Sequence, residues 1–375
     1  MTSVSRFHII LAAMFIFVAT VMTFVNSVNA SFVNWDDDVY VTANPHIQSL
    51  SPENIRWIFS NPYYYSWIPV TLSSHAVDVA LWGMNPRGHH FTNVLLHAVN
   101  AVLFFLLSLI VVHAAKRTGG ESTKNHFPVT SSVFIGSVTA ALLFAMHPLR
   151  VESVAWVSGR KDLLCALFLL PSFGLYLLWK FNDRKLYLLA SVGLYVLAIL
   201  SKPMAMPFPI ILILTDVWLI HRDRISLSRL LIDKIPYIAI AVAAAVITFR
   251  GGTSGTVNVI GDLSLLERFL LPAYMIVFYV VKLVVPTNLS PIYPELKEWI
   301  LYLSPIIMIG GVYGCFILLK KNYGVVVLAL MSYILILLPT FLGVSSGLQP
   351  LADRYTYLSM LSIFFLLGGL VEIMW

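Results

Sequence analysis

The chain has 375 residues, of which 59% are hydrophobic and only 11% charged, and its mean hydropathy is +0.84. That composition excludes a water-filled globular fold, a disordered tail protein and a nucleic-acid binder, and predicts an all-α polytopic membrane protein. The formal charge of +6 therefore has to be read by location before it is read as a binding signal.

A helix needs about 20 apolar residues to cross a ~30 Å hydrocarbon core. Runs of that kind are predicted near 7–28, 91–114, 129–147, 163–179, 186–200, 207–220, 235–249, 300–319, 324–342 and 356–374, a bundle of about ten spans. The first run follows a single basic residue, Arg6, and lacks a good cleavage site, so it reads as an anchor and not as a signal peptide. If the N-terminus is cytoplasmic, the short inner connections 1–6, 115–128, 180–185, 221–234 and 320–321 hold 13 of the 24 Lys and Arg residues in 42 positions. The positive-inside rule supports that orientation. A bacterial inner membrane is the expected location, with the endoplasmic reticulum as the alternative. Residues 269–286 break the parity; Pro272 and Lys282 favour a re-entrant or interfacial helix within a second large outer loop, 250–299.

The first outer loop, 29–90, is too polar to cross and too aromatic for a linker, with Trp35, Trp57, Trp67, Trp82 and Tyr63-Tyr64-Tyr65. Short helices resting on the headgroup layer are expected, one of them capped by Ser51 and started by Pro52. An interfacial aromatic belt accounts for most of these rings. Asn34-Trp35-Asp36-Asp37-Asp38 is different, because three adjacent carboxylates repel one another. At least one needs a cation, a hydrogen-bond donor or a raised pKa, and a carboxylate so placed can act as a general base or help hold a divalent ion. A solvated acidic turn is the plain alternative.

Between the third and fourth runs, His147 to Asp162 packs one imidazole, two carboxylates (Glu152, Asp162) and three cations (Arg150, Arg160, Lys161) into sixteen residues. Headgroup contact explains some of this cost; the chemical reading is a phosphate site in which the cations clamp an anionic leaving group. Lys202 and the Asp353-Arg354 pair, at two further outer turns, agree with it. His89 and His90, at the start of the second run, read as either structural or supporting. Cys165 and Cys315 lie in apolar runs and predict neither a disulfide nor a reactive thiol. No phosphate-loop, dinucleotide, HExxH or paired Cys/His zinc spacing occurs, nor a Gly-x-Ser-x-Gly elbow. Charges gather at span edges rather than midplanes, which disfavours a channel or secondary transporter.

Seven blocks then occur in order: Asn34 to Ile47, Ser66-Trp-Ile-Pro-Val-Thr, Asn85 to His97, His147-Pro through Arg160-Lys-Asp, Lys202-Pro-Met, Pro286 to Pro294, and Ala352-Asp-Arg-Tyr-Thr-Tyr-Leu. Together they resemble the membrane region of the transmembrane and tetratricopeptide repeat-containing O-mannosyltransferases, within the C-type glycosyltransferases, over essentially the whole chain. The resemblance implies a polyprenyl-phosphate-linked sugar donor, a protein, lipid or glycan acceptor, and chemistry on the extracytoplasmic side. Asp36 and Asp37 map onto the family's acidic pair, with Asp38 as an extra carboxylate and any divalent cation expected on the pair. Arg150, Arg160, Lys161, Lys202 and Arg354 are the expected donor-phosphate ligands, supported by His89, His90, His147, Glu152 and Asp353. No tetratricopeptide array follows Trp375, so residues 1–375 read as a single membrane-embedded domain. A flippase or transporter for a lipid-linked sugar or another anion, using the same cations without a base, is the alternative function.

Overall fold

The computed structural model describes residues 4–64, 66–118, 129–220, 227–252, 264–293, 296–341 and 351–375. Tyr65, most of the 115–128 connection, the first part of 221–234, the stretch 253–263 and Pro294 lie outside the described residues. The chain is an all-α membrane protein, and no strand forms among the described residues beyond one bridge between Tyr63 and Ser66.

Helix α1 (Arg6–Phe24) tightens into a 3-10 turn that ends at Asn29, and the aromatic loop that follows carries α2 (Pro52–Ser60) and α3 (Pro69–Trp82). After it come α4 (Pro86–Thr118), α5 (Ser131–Met146), the single turn α6 (Val151–Ala155), α7 (Arg160–Asn182) and α8 (Lys185–Ser201). Next are α9 (Phe208–Thr215), α10 (Leu227–Ile232), α11 (Ile235–Gly252) and α12 (Leu265–Val284). The chain closes with α13 (Glu298–Lys320), α14 (Gly324–Phe341), α15 (Thr356–Ser359) and α16 (Leu361–Met374).

Each of the ten apolar runs is helical. Six helical segments are long and apolar enough to cross a membrane, and two bent pairs, 131–155 and 353–374, raise the number to eight among the described residues. Helices α8 and α11 are apolar but shorter. Residues 269–284 fall in α12, a continuous helix whose 20 residues extend about 30 Å, and 285–286 lie just past its end. A capping box opens it: Ser264 Oγ accepts from Glu267 N, and the Glu267 carboxylate accepts from Ser264 N.

The centre of the bundle is α4 and α7, flanked by α5, α16 and α8, with α1 against α4 and α5. Helices α5 and α16 cross closely enough that a Cβ built on Gly136 would stand 2.6 Å from the Gly368 carbonyl oxygen, which only glycine tolerates. Helix α13 is mostly exposed, as expected of a lipid-facing helix. The aromatic loop has a small core of its own, built from Tyr40, Val41, Ile47, Ile58, Ile68, Leu72 and Ala76, and closed by Val157 from the turn before α7. Ser51 accepts from Asn54 N at 3.2 Å and Pro52 opens α2, as the sequence predicted. The loop is thus a folded cap seated on one end of the bundle, facing the 147–162 turn.

Candidate functional site

Two tight turns and one helix start make the floor of that end. After α5, His147 bends the chain; its Nδ1 accepts from Leu149 N at 3.2 Å, which leaves Nε2 to donate to the Leu283 carbonyl at 3.0 Å. Trp156 then interrupts the helix with an extended backbone (φ −85°, ψ 124°). Gly159 allows the next turn, since a Cβ there would lie 2.6 Å from the Ser153 carbonyl oxygen. Asn93 on α4 grips the same turn, donating to the Trp156 carbonyl at 2.9 Å.

The three aspartates separate by environment. Asp37 is fully buried, and its carboxylate accepts from Ser158 N (2.9 Å), Ser158 Oγ (2.6 Å) and Val33 N (3.1 Å). It clips the cap to the turn before α7. Asp38 is exposed and accepts from Val39 N at 2.8 Å. Asp36 is half-buried and faces Lys161 Nζ at 3.2 Å, with 22% and 15% of the two side chains still accessible.

The cations show equally distinct roles. Arg160 is fully buried and bound on all sides: to Asp78 at 2.5 Å, Asn93 Oδ1 at 2.8 Å and the His89 carbonyl at 2.8 Å. Asp78 in turn accepts from Thr92 Oγ1 at 2.9 Å and lies 3.6 Å from His89 Nδ1. These contacts fasten α3 to α4 and α7. Arg150 donates to the Thr356 carbonyl and hydroxyl (3.0 and 2.6 Å) among the rings of Phe144, Tyr357 and Phe364, with no carboxylate bridge among the described residues. His90 is buried at the start of α4, and Asp353 accepts from Tyr293 OH (2.7 Å) and Ser290 N (3.0 Å).

Three cations remain, linked through two rings. Lys161 Nζ and Arg354 Cζ lie 5.1 and 5.5 Å from the centre of the Trp156 ring; Arg354 and Lys202 lie 5.0 and 5.9 Å from that of Tyr355. Each has a carboxylate partner: Asp36 for Lys161, Glu152 for Arg354 at 2.5 Å, and Asp162 for Lys202 at 2.5 Å. Burial lowers the Lys202 ammonium below the usual lysine range, with Asp162 opposing it. Of these pairs only Lys161–Asp36 keeps appreciable exposure; the Glu152–Arg354 and Asp162–Lys202 side chains are 8% accessible or less. Tyr40 lies beneath Lys161 at 5.0 Å, its phenol kept protonated by burial and by the Asp36 charge.

About two turns further along α7 lies an apolar cavity of about 130 Å³ in the bundle core. It is lined by Phe104, Leu169, Phe173, Phe208, Leu358 and Phe365 among others, with Ser108, Ser332, Ser359 and Ser362 as its polar edges. Leu358 and Ser359, which line it, follow Arg354 by four and five residues.

The structure therefore brings Asp36, Lys161, Glu152, Arg354 and Lys202 into one cluster and sets Arg150, His147 and Asp353 into separate packing contacts. His89 and Arg160 belong to the α3 attachment, and His90 is buried beside it near Asp37. Sequence reasoning missed Asp78 and Asn93, and also His75, a fully buried imidazole on α3 held neutral by burial and by the nearby Arg160. The available signal was Asp78 itself, the one carboxylate in the stretch Pro69–Trp82. No group of three or more His, Cys, Asp or Glu side chains able to hold a metal ion is found among the described residues.

Comparison with known proteins now bears on this arrangement. A mouse protein, Protein O-mannosyl-transferase TMTC4, is 32% identical over 163 residues, 41% of this chain and 21% of that protein. Its human counterpart is 33% identical over 162 residues with the same coverage, and Drosophila melanogaster Protein O-mannosyl-transferase Tmtc1 is 27% identical over 202 residues, 52% of this chain. The chain is a relative of the TMTC family. The matched region spans only about a fifth of the length of these relatives. No protein-family model matches the chain, and no solved structure does.

Proposed function

We propose that the chain is a glycosyltransferase that moves a sugar, mannose by its likeness to the TMTC relatives, from a polyprenyl-phosphate donor to a protein hydroxyl. Residues 1–375 act as one membrane-embedded domain, with the cap end extracytoplasmic and the N-terminus cytoplasmic, as the Lys and Arg distribution favours. The observation that carries the reading is the accessible Asp36–Lys161 pair, joined through Trp156 and Tyr355 to Arg354 and Lys202, at the end of a bundle whose core holds an apolar cavity.

A lipid-linked donor needs a place for an apolar chain, a cationic place for its phosphate and a base beside both. Asp36 accepts the proton of the acceptor hydroxyl while that oxygen bonds to the anomeric carbon, and the carbon–phosphate oxygen bond breaks with its electron pair leaving on the phosphate. Lys161, Arg354 and Lys202 receive the charge that develops there. Every cation in the cluster is paired at rest, so the donor phosphate has to exchange with a carboxylate. Lys161–Asp36 is the pair most open to exchange, and phosphate taking Lys161 frees Asp36 for the hydroxyl. Asp37, held by three donors, serves as the clip that positions its neighbour. Arg150 and Arg160 support the frame rather than the phosphate.

The test is Asp36→Asn in purified full-length chain supplied with polyprenyl-phosphate-linked mannose and a serine/threonine peptide. Loss of a positioned base predicts turnover reduced by about 10²- to 10⁴-fold. Unchanged turnover refutes the assignment, and transport of the lipid by an inactive variant favours the flippase alternative.

A further inference from the structure

Trp156, like Tyr355, serves two cations of the cluster, and its indole N–H is buried without a hydrogen-bond partner. An indole nitrogen only donates, so what is missing is an acceptor. The neighbouring carboxylate oxygens that reach this ring's cations are engaged: Asp36 with Lys161, and both oxygens of Glu152 with the Arg354 guanidinium and backbone N–H. Trp156 sits on an anchored turn. Its backbone carbonyl is held by Asn93 Nδ2 at 2.9 Å and by Gly159 N at 3.0 Å, and its own N–H donates to the Glu152 carbonyl at 3.3 Å. An unpartnered donor beside two cations is complementary to an oxygen that carries negative charge.

Resting on the donor reading above, we propose that Trp156 is a donor-binding residue whose indole N–H donates to a phosphate oxygen of the polyprenyl phosphate, between Lys161 and Arg354. The ring then has two tasks. It binds one phosphate oxygen directly, and its π face keeps the two cations apart from each other and near that oxygen.

Binding of polyprenyl monophosphate, without a sugar, to full-length chain in nanodiscs tests this. Trp156→Phe keeps an aromatic face near both cations and removes the N–H together with part of the indole's bulk. The expected result is an apparent Kd raised about tenfold, the effect of one lost hydrogen bond to a charged acceptor, with a cooperative melting transition retained. A second measurement needs no substitution: of the nine indole N–H signals in 15N-tryptophan-labelled protein, one is expected to move downfield with the binding midpoint. Wild-type binding with no indole signal moving, or with Trp156→Phe binding equally well, overturns this inference and leaves the proposed function standing. No binding of polyprenyl monophosphate by wild type overturns the proposed function, and this inference with it.

Discussion

Asp36 and Asp37 are adjacent and chemically identical, yet their surroundings predict opposite consequences on substitution. Removing the Asp37 carboxylate leaves Ser158 N, Ser158 Oγ and Val33 N as buried donors without an acceptor. Hydrogen bonds to a charged group contribute about 1.5–3 kcal/mol each, and a buried donor left unpaired costs about 1–3 kcal/mol. Asp37→Ala is therefore expected to destabilise the protein by about 3 kcal/mol or more. Asp36 contributes one ion pair at 3.2 Å that is still about a fifth exposed, and pairs of that kind contribute about 0–1 kcal/mol. Asp36→Asn is expected to leave the melting temperature within a degree or two of wild type while abolishing transfer. Thermal unfolding in detergent, followed by intrinsic fluorescence, together with a turnover assay on the same samples, separates the two. If Asp37→Ala melts like wild type, or if Asp36→Asn loses as much stability as Asp37→Ala, the division of roles is wrong.

Further tests address the frame. Asp78→Ala strands the buried Arg160 guanidinium and is expected to cost about 3–5 kcal/mol, whereas Asp78→Ala with Arg160→Met is expected to cost less than the single change; an additive double variant in a melting assay removes the pairing argument. Gly136→Val is expected to destabilise by about 1–3 kcal/mol by forcing α5 off α16, while Gly310→Ala on exposed α13, with open space around its Cβ, is expected to change stability by less than about 1 kcal/mol. Acid stability tests His75. Its folded pKa lies well below the ordinary value of about 6.5, so the unfolded chain binds a proton that the folded chain does not. Stability from this group is complete above pH 6.5 and declines as pH falls below it, by up to about 1.4 kcal/mol per pH unit. His75→Leu should show a shallower fall in melting temperature between pH 6.5 and 5; an unchanged slope counts against a buried neutral imidazole.

The fold was largely legible because its signal is local. Each apolar run of span length forms a helix, and the Ser51 and Pro52 signature opens α2 where expected. The site was legible as an inventory of residue types and not as a wiring diagram. Glu152 pairs with Arg354 across 202 positions and Asp36 with Lys161 across 125, separations at which one sequence carries no pairing signal. Five cations therefore read alike, as free phosphate ligands, although Arg160 is enclosed by Asp78, Asn93 and a backbone carbonyl, and Arg150 by Thr356. Trp156 was hidden for a related reason. Most tryptophans of a membrane protein mark interfaces, and an unpartnered N–H is a property of packing rather than of composition.

At the far end of α7, about 30 Å from Arg160, Lys180 pairs with Asp216 (2.8 Å) and Asp233 (2.6 Å), Lys234 also holds Asp216, and Tyr176 donates to it at 2.8 Å. This closed quartet bears on how the protein is built. Asp216, at the end of the α9 run, is costly to place in lipid alone, by about 2.5–3.5 kcal/mol at mid-helix. Its first lysine, on α7, is synthesised before it, and its second, at the start of α11, after it. The quartet thus gives Asp216 one counter-ion from earlier and one from later in the chain, and fastens the α9 run and the start of α11 to the far end of α7.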